Sequence, residues 1–296
     1  MQFGYVETSL DDIDFSLPPD GASTKETFHK GKNNEEIKIY VGTTKWAEKS
    51  WIGKIYPKGV SDKEYLKIYA QNFNTIEFGP TFYVMQTKEA IKSWADQVEA
   101  VEGFKFCPKY PQAITHVRGL ENADKQTTDF YDSLSGFGNH LGPLLLQLSE
   151  RFSPKKFNQL VAYLKSIPQD KQVALEVRNK DWFSNTNHRK ELFDLLRECN
   201  VCSIISDTAG RRDCVHMELP TKDVVIRFVG NNLHPTDYTR VDAWVSRLNE
   251  WKEQGLDSIW FFVHQHDERN APDLCDYLIK QLNSTLSIEV KRPSLL

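Results

Sequence analysis

The chain is predicted to fold as a single (β/α)₈ TIM barrel behind a short irregular N-terminal extension, and three observations predict it. Short apolar segments recur eight times, stretches with helical patterning separate most of them, and the repeat of about thirty residues is that of βα units. Several segments, such as VALEV, VVIRFV and IWFFV, are apolar throughout rather than alternating, as parallel strands covered on both faces require.

The strands are expected at Ile37–Gly42, Asn74–Phe78, Phe104–Lys109, Pro143–Leu148, Val173–Arg178, Val201–Asp207, Val224–Gly230 and Ser258–His264. The clearest helical patterns cover Asp62–Asn72, Thr87–Val98, Pro154–Ile167, His188–Cys199, Val241–Glu253 and Ala271–Asn283. Ser153 before Pro154 has the form of a cap followed by proline in the first helical turn. Residues 1–36 lack a sustained apolar period and read as an extended or partly ordered lead-in, so the barrel is assigned to 37–296. An open doubly wound sheet is the second choice. It usually declares a glycine-rich phosphate turn after its first strand, where this chain has GTTKW at Gly42–Trp46. The glycines of Gly136–Gly142 precede a strand and read as a loop.

Composition narrows the function classes. The 296 residues are 40% hydrophobic and 26% charged, and 37 Lys and Arg against 41 Asp and Glu leave a net charge of −4. Any site for an anion, nucleic acid included, is therefore local rather than a property of the whole surface. No apolar run approaches the roughly 20 residues of a membrane helix. Five cysteines in a long chain without a secretory leader pattern point to the cytoplasm. Cys199 and Cys202 form a C-x-x-C between a helix end and a strand, whereas redox pairs sit at helix N-termini, so both are expected to be buried, inert thiols.

Several segments together resemble the YecE-like family, domain of unknown function 72. They are GTTKW at Gly42–Trp46, IYP at Ile55–Pro57, FNTIE at Phe73–Glu77, TFY at Thr81–Tyr83, FKFCPKYPQAITH at Phe104–His116, LGPLLLQL at Leu141–Leu148, LEVRNKDWF at Leu175–Phe183 and IRFVGN at Ile226–Asn231. The resemblance spans about 37–283. It implies a TIM barrel and, since the family is named for an unassigned activity, no particular reaction or cofactor.

In such barrels functional groups stand at the C-terminal strand ends and in the loops that follow, which selects the candidates. Glu176 and Arg178 are two apart on one strand, share a face, and are expected to pair. Glu77 is a lone carboxylate between Ile76 and Phe78. Lys109, Arg178 and Arg227, with Arg211 and Arg212 after the sixth strand, offer cations for a phosphate or carboxylate. His264 and His266 alternate along the last strand, with His116, His216 and Asp207 as further partners. Acid/base histidines are preferred over a metal site, because no metal motif is present. Trp46 and Tyr83 offer aromatic faces and Gln147 and Asn231 polar groups at strand ends.

The expected function is therefore an enzyme, with a hydrolase the reaction class considered, acting on a small anionic, sugar- or nucleotide-derived substrate. Glu176, Asp207, Glu77 and a histidine among His116, His216 and His264 would share acid/base work. Trp46, Tyr83, Lys109, Gln147, Arg178, Arg211, Arg212, Arg227, Asn231 and His266 would bind substrate. The competing class is a ligand-binding or regulatory barrel without turnover. The sharpest expectation is that Lys109, Glu176, Arg178, Asp207, Arg227 and His264 share one pocket, with Trp46 beside it. Cofactor and oligomeric state are left open.

Overall fold

Eight parallel strands form one sheet in the order β3-β2-β1-β8-β7-β6-β5-β4, so the first and last strands in sequence lie side by side. The computed structural model describes residues 3–7, 9–29 and 36–296. The strands are β1 Lys38–Thr43, β2 Thr75–Phe78, β3 Lys105–Pro108, β4 Leu144–Gln147, β5 Val173–Glu176, β6 Cys202–Asp207, β7 Asp223–Gly230 and β8 Ser258–Gln265. All eight coincide with the expected segments. Pairing of β1 with β8, from Lys38 opposite Ser258 to Thr43 opposite Val263, excludes an open doubly wound order. Isolated bridges between Phe106 and Leu141 and between Lys109 and Leu145 bring the two remaining edges together. The fold is a nearly closed TIM barrel.

The helices are α1 Ala22–Phe28, α2 Tyr65–Asn72, α3 Pro80–Tyr83, α4 Lys88–Val98, α5 Asp124–Leu134, α6 Phe157–Ser166, α7 Asp181–Ser184, α8 Thr186–Glu198, α9 Pro235–Gln254 and α10 Ala271–Leu286. The third intervening helix, α5, was missed from sequence because its buried residues are only Phe130, Ser133 and Leu134 at one end. Ser153 occupies the cap position before Pro154 without a side-chain cap bond. Gly136–Gly142 is not a simple loop: Ser135–His140 winds as a tight 3₁₀ turn.

Strand alternation sorts side chains into two cores. Outward-facing Val41, Ile76, Phe78, Phe106, Leu146, Leu175, Ile205, Ile226 and Phe261 pack under the helices. Cys107, Leu145, Ala174, Cys202, Ile204, Val225, Trp260 and Phe262 form the separate inner cluster that fills the barrel, and Tyr40 stacks on Trp260 at 3.8 Å. Gly42 is required where β1 meets β2, since a Cβ there would lie 2.0 Å from the Thr75 carbonyl oxygen. The five cysteines are free thiols; burial pushes the Cys202 thiol well up, whereas Cys199, expected to be buried too, is only half-buried because it caps the exposed end of α8.

The N-terminal extension is more ordered than a lead-in. Helix α1 docks on the segment after β6: Gly21 N donates to Met217 O (2.8 Å), Ser23 N to Glu218 Oε2 (2.8 Å), and the Thr24 hydroxyl to Met217 O (2.8 Å). Before it, Trp251 Nε1 on α9 donates to Asp20 (3.0 Å), and the Arg240 guanidinium lies 4.9 Å from the Phe15 ring. Further back, Phe3 and Tyr5 lie against Arg178 and His266. Among the described residues, no helix is long and apolar enough to cross a membrane.

Candidate functional site

Above the apolar filling, the inner faces of β2 to β8 carry a polar layer at their C-terminal ends. Glu77 comes from β2, Lys109 directly follows β3, Gln147 and Glu176 end β4 and β5, Ser206 lies on β6, Arg227 on β7 and His264 on β8. Arg178 stands two residues beyond Glu176 on the same face. Arg227 is the centre of the layer. Its Nε and Nη2 donate to the two oxygens of Glu77 (2.8 and 2.9 Å), and Nη1 donates to Glu176 Oε2 (2.7 Å). Arg178 Nε donates to Glu176 Oε1 (2.7 Å), which also accepts from the Ser206 hydroxyl (3.0 Å). Gln147 Oε1 accepts from Lys109 Nζ (2.9 Å), Arg178 Nη2 (3.0 Å) and Arg227 Nη1 (3.5 Å), so three cations meet at one neutral oxygen.

The protonation states follow from these contacts. Burial opposes ionisation of Glu77, but Arg227, His264 and Lys109 outweigh it and hold the carboxyl well below the usual range. Burial likewise opposes ionisation of Glu176, and Arg178 and Arg227 bring it to about 2. Lys109 is lowered to about 8, chiefly by burial, with Glu77 opposing and Arg227 reinforcing the shift. Burial brings His264, 3.2 Å from Glu77 Oε2, to about 4 despite that carboxylate. At neutral pH three cations therefore face two carboxylates and a neutral imidazole. One positive charge is left over.

A cleft of about 540 Å³ meets this layer at Arg178 and is otherwise lined by Phe3, His116, Ser149, Glu150 and Arg151. The Arg178 guanidinium carbon lies 4.1 Å from the Phe3 ring centroid, so the N-terminal segment covers one side of it. Gly4 O accepts from Gly210 N (2.8 Å) and the Thr208 hydroxyl (3.1 Å), and Tyr5 meets the edge of His266 at 4.9 Å. Phe82 packs against both Lys109 Nζ, 4.9 Å away, and His116, 5.2 Å away. Burial, aided by Arg178 and Lys109, lowers the His116 pKa.

Of the six residues expected to converge, Lys109, Glu176, Arg178, Arg227 and His264 meet in this layer with Glu77 and Gln147, but Asp207 does not. Ser206 faces inward, so Asp207 faces the helices. Its buried carboxylate accepts from Arg240 Nη2 (2.8 Å), Trp244 Nε1 (2.7 Å) and Arg212, and it ties α9 to the strand end. His216 is also outside the barrel, between the rings of Phe183 and Phe193, where burial and Arg189 lower it to about 3. Arg212 is taken up by Asp207 and the Phe15 carbonyl (3.2 Å). Asn231 is held by Asp237 at the start of α9. The Trp46 ring stacks on outward-facing Phe78 (5.7 Å) and meets Trp94 on α4, so it belongs to the outer core.

Arg211 stays at the rim, bonded to Asp213 and the Arg178 carbonyl oxygen (2.6 Å). Tyr83 is an exposed rim residue against Phe82. Among the described residues no three His, Cys, Asp or Glu side chains cluster as metal ligands. Sequence reasoning missed Ser206, legible from the alternation that makes Ile204 inward, and Phe3 and Tyr5, for which no local signal exists.

Fold and site together define a parallel eight-stranded barrel with an ionic layer under its C-terminal mouth. The chain belongs to the family described as protein of unknown function DUF72, which it matches over residues 40–294. It is 27% identical over 266 residues to the UPF0759 protein YecE of Escherichia coli K12, covering 84% of this chain and 94% of that protein. The same values hold for YecE of strain O157:H7. A DUF72 family protein of Enterococcus faecalis superposes with a TM-score of 0.64 at 17% identity, over 86% of this chain and 99% of that one. One from Thermotoga maritima gives 0.59 at 19%, over 85% and 100%. These likenesses show the barrel.

Proposed function

We propose that the mouth binds a small anionic substrate, of the sugar- or nucleotide-derived kind, and transfers protons on it. The observation that carries this reading is the uncompensated positive charge of the layer, one of whose cations, Arg178, lines an open cleft. Of the layer's cations Arg178 is the one that lines the cleft, and it binds the anion. Lys109, brought to about 8, and His116, which packs on the same Phe82 ring, are the proton-transfer groups. Glu77 and Glu176 orient the cations. A two-carboxylate glycoside mechanism is disfavoured, since it needs one carboxyl to arrive protonated and both are held ionised. Hydrolysis would instead use Lys109 or His116 to activate water.

The test is titration calorimetry with inorganic phosphate, acetate and a sugar phosphate, followed by a substrate screen. Saturable binding that is lost in Arg178→Met, and product formation lost in Lys109→Met, are expected. Failure of every anion to bind would overturn the reading. One observation favours a binding barrel without turnover: each oxygen of Glu77 and Glu176 already accepts a hydrogen bond. Binding without conversion of any screened compound would select that class.

A further inference from the structure

Lys109 is an amine in unusual company. Alternation of β3 puts Cys107 in the inner core, so Lys109, two residues on, enters the barrel mouth instead of the solvent. Its side chain is 13% exposed, so it is largely but not wholly withdrawn from water. Nζ donates to Gln147 Oε1 at 2.9 Å and lies 3.6 Å from Glu77 Oε1, so two fixed acceptors orient it. Phe82 covers one side at 4.9 Å, and His116 packs on the same ring. Arg178 and Arg227 share the Gln147 oxygen with it. An amine whose proton is held loosely between fixed cations and an aromatic wall is the setting in which a lysine becomes a nucleophile towards carbonyl carbon.

We propose that Lys109 forms an imine with the aldehyde or ketone group of a small carboxylated or phosphorylated substrate whose anionic end is held by Arg178. This rests on the anion-site reading and adds to it a substrate class and a covalent step. The Lys109 amine attacks the carbonyl carbon, a C–N bond forms, and the carbonyl electron pair moves to oxygen, which takes up a proton. The carbinolamine then loses that oxygen as water, and the nitrogen loses its second proton. No oxidant, reductant or other reactant is consumed. The proton for the departing hydroxyl is assigned to His116, which packs on the same Phe82 ring as Lys109. Glu77 is held too acidic for that exchange and instead steadies the iminium charge. The lowered affinity of Lys109 for its proton, about 8 against 10.5, leaves a roughly three-hundredfold larger free-amine fraction at pH 7 than an ordinary lysine has.

The full chain is incubated with pyruvate, the α-keto acid probe, at pH 7.5 and reduced with sodium borohydride, and the adduct is mapped by peptide mass spectrometry. The expected result is a reduced pyruvate adduct on Lys109 in preference to the surface lysines, suppressed by excess phosphate. Lys109→Arg should lose the adduct at this position. Labelling spread over surface lysines with none at Lys109 overturns the imine. If phosphate still binds in that case, the anion site stands and only the covalent step fails; if phosphate does not bind either, both fall.

Discussion

Replacing Arg227 by Met removes the one group that both carboxylates of the layer share. Arg227 is 2% exposed, Glu77 4% and Glu176 2%, so solvent cannot take over the lost interaction. Glu176 would keep Arg178 at 2.7 Å, but Glu77 would keep only Lys109 at 3.6 Å and a neutral His264. Breaking a buried pair in this way costs about 3–5 kcal/mol, because a charge stays behind in a medium that solvates it poorly. The pH dependence gives the sign. In the wild type both carboxyls are more acidic folded than unfolded, so they stabilise the fold above the usual carboxylate range and lose that contribution as pH falls towards about 2 for Glu176. Without Arg227, burial dominates and Glu77 becomes less acidic folded than unfolded, so its charge opposes folding near neutrality. Protonation relieves this, and the gap between variant and wild type should narrow from pH 7 to about 5. Reversible urea unfolding followed by tryptophan fluorescence measures it, and Glu77→Gln in the Arg227→Met background should restore part of the loss. A cost below about 1 kcal/mol, or a gap independent of pH, would refute the assignment of Arg227 as the charge that holds the layer together.

Asp207→Asn should cost about 3–5 kcal/mol, since Asp207 and Arg240 are both fully buried. Phosphate affinity should stay unchanged, and an altered affinity measured by calorimetry would return Asp207 to the site. Phe3→Ala should uncover Arg178 and speed its modification by phenylglyoxal, read by peptide mapping; an unchanged rate would mean that the ring does not shield it. Lys109 binds its proton less tightly folded than unfolded, so it makes stability rise with pH between about 8 and 10.5. Lys109→Met should flatten that rise in urea midpoints. Gly42→Ala should destabilise the barrel by more than about 2 kcal/mol, as its Cβ would meet backbone rather than a movable side chain, with the thermal midpoint as the measure.

What the sequence by itself determined was the set of strands, their parallel character and the residues at their C-terminal ends. Apolar runs such as VVIRFV report burial on both faces directly, and period-two alternation places Glu176 with Arg178 and Arg227 with Val225. Alternation also carried the answer for β6, where inward Ile204 implies inward Ser206 and outward Asp207; proximity to the strand end was the weaker guide. Only the tertiary structure decided which partners those groups meet. Arg240 reaches Asp207 from 33 residues further along the chain, and Phe3 reaches Arg178 from the start of it; neither contact leaves a local pattern. The lowered affinity of Lys109 for protons is likewise a property of the closed ring, for it depends on burial and on Glu77, Arg227, Glu176 and Arg178, which come from three other strands and their ends. Periodicity records how a residue is buried, whereas charge interactions depend on distances that only closure of the barrel sets.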